Sequence, residues 1–188
     1  MSTSTKTTRE TAEAALAPYI NSIVTTYRHG EPGLTLRGYA TKWGVRDSSG
    51  EYTTRAGLEN STKEYFALDK PPLYLNHGRT VIGFRPLGYC FRGVFDDMGL
   101  LVWLWMPENP DPTSFPGQER ALYDLVYGRV RDLSLSGLSI GGVYRRERST
   151  KALTAWHLSE ISLTPSPALH EAHIELDPFA ILRKGGGW

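Results

Sequence analysis

The sequence predicts a mainly β domain with a few helices, of the α+β class, folded as a single antiparallel barrel. Three observations point there. Short apolar stretches alternate with polar residues along most of the chain, and clusters of Gly, Pro, Asn and Asp separate them. Only one segment carries a clear helical period. One strand-like run is apolar on both faces, so other parts of the fold must cover it on both sides. With 188 residues, 40% apolar and 22% charged, the chain can bury a core and is not globally disordered.

Residues 1–27 are rich in Ser, Thr and Ala and read as a flexible N-terminal segment. Within them "TRETAEAALAPYI" suggests a short helix disturbed by Pro18. The folded domain is expected over residues 28–177, with residues 178–188 as a tail. "LTLRGYATKWGV" (34–45) alternates as a strand, and "RDSSGEY" (46–52) reads as a turn. "PPLYLNHGR" (71–79) enters extended behind two prolines and ends its strand at "NHG". Residues 81–95 read as a strand, with Tyr89, Phe91 and Phe95 in one register. "DDMG" (96–99) reads as a hairpin turn, and "LLVWLWM" (100–106) is the doubly apolar strand. A loop with four prolines follows. "QERALYDLVYGRV" (118–130) is the helix, with Ala121, Leu122, Leu125 and Val126 on one face and Gly128 as its stop. Residues 133–147 and 151–164 read as two strands joined near 149–151. "HIEL" (173–176) reads as a last short strand.

Charge and cysteine content narrow the function. A net charge of +1 gives no reason to expect nucleic acid as a partner, since phosphate binding needs a basic face. The single cysteine, Cys90, cannot form an internal disulfide, and its aromatic neighbours suggest core packing. The polar N-terminus lacks a signal-peptide pattern, and the longest apolar run is far shorter than a membrane span of about 20 residues. A soluble, cytoplasmic protein with no membrane partner is the expectation.

The stretch "LSLSGLSIGG" (133–142) breaks its own period. Leu133 and Leu135 are odd, whereas Leu138 and Ile140 are even, with Gly137 between the pairs. A bulge or bend at Gly137 is the natural reading. Beyond it Ser139 points away from Leu138 and Ile140. Bare backbone at Gly141 and Gly142 allows close approach and N–H donation to an oxyanion. A strand with small residues at a crowded corner explains the same pattern.

A serine hydroxyl needs a base to act as a nucleophile, and the base needs an orienting group. Of the five histidines, His29 lies in a weakly structured region, and His170 and His173 lie in or just after a loop. His157 falls inside a strand. His77 ends a short apolar strand, where its backbone is held and its ring can face a cleft. Glu160 lies on an otherwise apolar strand, where a carboxylate is costly unless it is exposed or has a hydrogen-bonded partner.

The ordered set "YLNHG", a helix, "GLSIGG" and "LSEISLTPSPALHEAHI" resembles the prohead (capsid maturation) proteases of tailed bacteriophages, of the HK97 type. Asn76-His77, Ser139-Ile140-Gly141 and residues 158–168 followed by 172–174 carry the resemblance, supported by "RGYATKW" and the loop "TTRAGLENS". It implies a serine endopeptidase with a barrel fold like that of the herpesvirus assembly proteases. It implies Ser139 as nucleophile, His77 as general base and Glu160 as the orienting group, with backbone N–H groups at Ile140, Gly141 and Gly142 around the oxyanion. The related herpesvirus enzymes use a second histidine in the third role, so His157 competes with Glu160. Strand alternation allows at most one of the two to reach His77. The implied substrates are phage major capsid protein and scaffold segments, cut inside the assembling procapsid in the host bacterial cytoplasm, together with the protease itself. No cofactor or metal is implied, and a homodimer is left open. The alternative is the same fold kept as a catalytically silent part of a virus-like particle.

Three other features compete for a role. "YRRER" (144–148) is a local basic patch that reads as a solvated strand end or an oxyanion support. "HEAH" (170–173) has metal-ligand spacing only on a helix, and a loop is expected there. The proline-rich loop reads as a cleft rim or a partner contact.

Overall fold

The computed structural model describes residues 32–80 and 82–176. The expected N-terminal segment and its helix, His29, Val81 and the tail 178–188 lie outside them. The doubly apolar run forms β5 (Gly99–Pro107). Leu100, Val102, Leu104 and Met106 are fully buried, and the intervening Leu101, Trp103 and Trp105 are half-buried. This strand sits between β1 (Gly33–Lys42) and β4 (Gly88–Phe95), antiparallel to both. The β4–β5 turn is held as expected, with Asp96 Oδ1 accepting from the N–H groups of Met98 and Gly99 at 2.8 and 2.9 Å.

The strands β6 (Gly137–Arg146) and β7 (Ala152–Thr164) form the second hairpin. On its other edge β7 carries β2 (Tyr52–Thr53) and β3 (Pro72–Leu75), both parallel to it. The last strand, β8 (Ile174–Leu176), pairs with β1. The sheet runs β2-β7-β3-β4-β5-β1-β8, with β6 on β7. It is therefore mixed, not antiparallel, because β2 and β3 reach β7 by crossovers rather than hairpins. Nor does the ladder close into the expected barrel. The start of β6 meets the chain before β8 at one isolated bridge, Gly137 to His173. There the Leu138 N–H donates to Ala172 O and the Ile174 N–H to Ser136 O, each at 2.7 Å.

Four local expectations are corrected. Residues 53–61, expected as a loop, enter helix α1 (Arg55–Phe66), which Thr54 caps by accepting from the Gly57 N–H at 3.2 Å. Its buried face is Leu58, Ser61, Thr62 and Tyr65. The spacing is helical, but two of the four are hydroxyl residues, so an apolar period does not reveal it. One of those hydroxyls has a clear use, since Ser61 Oγ accepts from the Leu158 N–H on β7. The second helix, α2 (Gln118–Arg131), runs through Gly128. It buries Tyr123, Val126, Tyr127 and Val130, while Leu125 is 53% exposed. Aromatic packing rotates the face, because the Tyr123 ring packs on Phe115 and its hydroxyl donates to Pro107 O at 2.5 Å. β4 starts only at Gly88, and the register shift between Cys90 and Arg92 breaks the expected period. Cys90 itself is fully buried.

The fourth correction concerns Gly137. The break in period there marks the beginning of β6, not a bulge within it. The irregularities lie at Gly141/Gly142 and Val143/Arg145. Among the described residues no helix is long and apolar enough to cross a membrane.

The two helices make opposite predictions for two leucines. Leu58→Ala, in the core, should destabilise by about 2–5 kcal/mol, whereas Leu125→Ala should change stability by less than about 0.5 kcal/mol. Urea unfolding of both variants checks the assignment, and equal losses would contradict it.

Candidate active site

The centre of the site is the second half of β7. Residues 160–164 are all buried, but they alternate in chemistry. Ile161 and Leu163 face the core, opposite Ile140 and Leu138 of β6. Glu160, Ser162 and Thr164 take the other face, opposite Gly141, Ser139 and Gly137. On the other edge of β7, Tyr74 of β3 is the partner of Ser162. Side chains directly opposite one another on paired strands share a face, with Cβ atoms about 4.5–5.5 Å apart. Ser139, Ser162, Glu160 and Tyr74 therefore form one polar patch across three strands.

His77 joins this patch from a tight turn. Asn76, His77 and Gly78 follow β3 with φ values of 47°, 59° and 67°. Three consecutive left-handed residues are unusual, and only glycine and, less so, asparagine take that conformation easily. Two hydroxyls of β7 hold the turn. The His77 N–H donates to Ser162 Oγ at 3.2 Å, and the Thr164 hydroxyl donates to Asn76 Oδ1 at 3.2 Å. The ring then meets Glu160, with His77 Nδ1 at 2.5 Å from Glu160 Oε1.

Glu160 is only 9% exposed, so it is not a solvated edge residue. Its second oxygen, Oε2, accepts from the Ser162 hydroxyl at 3.2 Å. These contacts offset the cost of burying the carboxylate. An ionised carboxylate only accepts, so Nδ1–H is the donor in this contact and Nε2 is the ring nitrogen left for another partner. Burial raises the pKa of Tyr74, and the charge of Glu160 adds to the effect.

The competing histidine is elsewhere. His157 has a 72% exposed side chain, and its nearest carboxylate is Glu64 of α1 at 4.0 Å. It faces solvent on the side of β7 that Glu160 does not use. A second serine–histidine contact was not legible in the sequence. Ser136 Oγ lies 3.1 Å from His173 Nδ1, and the His170 ring packs edge-on against His173 at 6.0 Å. The two partners come from separate loops, so no sequence spacing marks them. Among the described residues no group of three or more His, Cys, Asp or Glu side chains could share a metal ion.

Ser139 is on the expected face but is not hydrogen-bonded to His77. Glu160 occupies only Nδ1 of the ring, and the expected contact of about 2.6–3.2 Å between Ser139 and the ring is not made. Ser139 is 9% exposed and borders a cavity of about 130 Å³ whose walls include Leu138, Ile140, Trp156 and Leu169 but not His77, Glu160 or Ser162. Catalytic hydrogen bonds are often long before substrate arrives.

The three backbone positions expected around an oxyanion divide. Because the Leu138 N–H points away from β7 to Ala172, alternation directs the Ser139 and Gly141 N–H groups at β7 and the Ile140 N–H at the outer edge. Ile140 is thus placed to donate, and Gly141 is not. Gly141 serves another need: a Cβ there would lie 2.1 Å from Glu160 Oε1. The irregularity before Gly142 restarts the alternation. Of the arginines of "YRRER", Arg145 and Arg146 lie on the exposed half of β6 and Arg148 just beyond it, and Arg146 pairs with the buried Glu51.

No protein-family model matches this chain, and no curated protein matches it. Among solved structures, the chain is similar to the KSHV protease in complex with a hexapeptide phosphonate inhibitor, at 13% identity and a TM-score of 0.45. That alignment covers 81% of this chain and 69% of the other. It is also similar to the varicella-zoster virus protease, at 14% identity and a TM-score of 0.42, covering 78% of this chain and 65% of that one.

Gly141→Ala tests the packing of the site. The added methyl should push the Glu160 carboxylate off His77 and destabilise the fold by about 1–3 kcal/mol. A crystal structure of the variant that keeps the His77–Glu160 contact would contradict this.

Proposed function

We propose that this chain is a serine endopeptidase of the procapsid-maturation kind. It would cut scaffold and capsid-protein segments, and itself, inside the assembling shell in a bacterial host. The observation that carries the proposal is the His77–Glu160 pair at 2.5 Å, set on the face of β7 that Ser139 shares. The ordered sequence resemblance to the phage prohead proteases supplies the substrate class.

The reaction follows from the proton positions. Ser139 Oγ attacks a peptide carbonyl and gives its proton to His77 Nε2. Glu160, bonded at Nδ1–H, stabilises the resulting imidazolium. The Ile140 N–H, on the outer edge of β6, is the backbone donor this reading assigns to the tetrahedral oxyanion. The imidazolium then protonates the departing amine. Water, activated by the same ring, releases the acyl group from Ser139. The Ser139–Nε2 hydrogen bond that the initial proton transfer needs is absent from the resting site and has to form with substrate bound. The proposed partners are therefore protein segments, without nucleic acid, membrane or cofactor.

A second reading, a catalytically silent component of a virus-like particle, is favoured by the low exposure of Ser139 and its missing bond to His77. A fluorophosphonate probe separates the two. The active reading expects covalent labelling at Ser139 that Ser139→Ala abolishes and Ser136→Ala leaves intact. It also expects both Ser139→Ala and His77→Ala to reduce peptide cleavage by about three or more orders of magnitude. An unlabelled, uncleaving wild type, assayed together with its capsid protein, would favour the silent reading. Labelling at Ser136 would move the nucleophile to the second serine–histidine pair.

A further inference from the structure

We infer that Ser162 is the positioning residue of this site, the group that holds base and carboxylate in register. The inference rests on the endopeptidase reading and assigns a role that the Ser139–His77–Glu160 set leaves unfilled. Ser162 is fully buried, at 0% exposure. Its hydroxyl does two things at once. It accepts from the His77 backbone N–H at 3.2 Å and donates to Glu160 Oε2 at 3.2 Å. One oxygen therefore ties the backbone of the base to the carboxylate that orients its ring.

Each bond answers a separate physical problem. The first fixes a left-handed histidine, whose backbone would otherwise relax toward the common regions of φ/ψ space. The second fixes the rotation of the Glu160 carboxylate, so that Oε1 rather than Oε2 faces Nδ1. A carboxylate with one restrained oxygen presents the other in a single place, and a small error there displaces the whole ring. A hydroxyl is the smallest side-chain group that both accepts and donates, which suits a site with no spare volume. The register adds to the case. Ser162 lies directly opposite Ser139 on one edge of β7 and Tyr74 on the other, so it stands at the middle of the patch.

Ser162→Ala removes the donor and the acceptor together. We expect kcat to fall about 10–100-fold with KM within about threefold of wild type, because the bonds act on the reacting groups and not on bound peptide. Ser162→Cys, close in shape and a weak donor, should fall between the two and guards against unfolding of the alanine variant. A second measurement does not use activity. In a Ser139→Ala background, the low-field proton NMR signal of His77 Nδ1–H should shift upfield or broaden when Ser162 is replaced. A folded Ser162→Ala protein with kcat within about twofold of wild type, or with its loss confined to KM, would overturn the inference. An unmoved Nδ1–H signal would do the same. If Ser139→Ala leaves cleavage intact, the assignment of Ser139 as nucleophile fails on its own, and the NMR measurement still decides the role of Ser162.

Discussion

Everything in this site depends on β7 being paired along both edges. β6 lies antiparallel on one side and β3 parallel on the other. Those two ladders fix the register of three strands, and register fixes which side chains share a face. A slip of one residue in either ladder would turn Ser139 or Tyr74 to the core and bring leucine or isoleucine into the patch. The core face of the same strand, Ile161 and Leu163 at 0% exposure, is what forbids that slip. Hydrophobic burial on one side of β7 thus positions the polar chemistry on the other.

The electrostatic arrangement follows from that placement. A glutamate in the middle of a buried strand segment is tolerated only if its oxygens are bonded. Here one meets an imidazole N–H and the other a serine hydroxyl. The glycine opposite leaves the space in which the carboxylate lies. The same contacts that make the burial tolerable also decide the tautomer of His77, so stability and proton position come from one set of bonds. The surrounding charges play a smaller part. The arginines beyond Gly142 are solvated, and the one with a buried partner answers Glu51 rather than the site.

Much of this could be read from residue order alone. The strand 99–107, the turn at Asp96 and the β6–β7 hairpin all left local signals, whereas the set Ser139, His77 and Glu160 was implied by the ordered resemblance, and of its contacts the structure makes His77–Glu160. What stayed hidden depended on partners distant in sequence. Helix α1 buries Ser61 and Thr62, and such residues look solvent-facing until β7 is seen to use one of their hydroxyls. Helix α2 turns by its tyrosines, whose hydroxyls find carbonyls that only the fold supplies. Parallel pairing of β3 with β7 has no signature in either strand. The sequence suggested glycines that donate to an oxyanion. Pairing geometry instead made Gly141 a matter of room for Glu160, and gave Ser162 a role that no spacing rule announces.

The left-handed turn at Asn76–Gly78 has a consequence for how such a chain can change over generations. Glycine at position 77 would relieve the backbone penalty, roughly 1–2 kcal/mol, yet it would strand the Glu160 carboxylate with one partner fewer. Replacing Glu160 alone would leave an imidazole held in a costly conformation for nothing. Neither site can drift comfortably without the other, so a lineage released from its chemistry would be expected to shed the two together, and a chain that retains one of them should retain both.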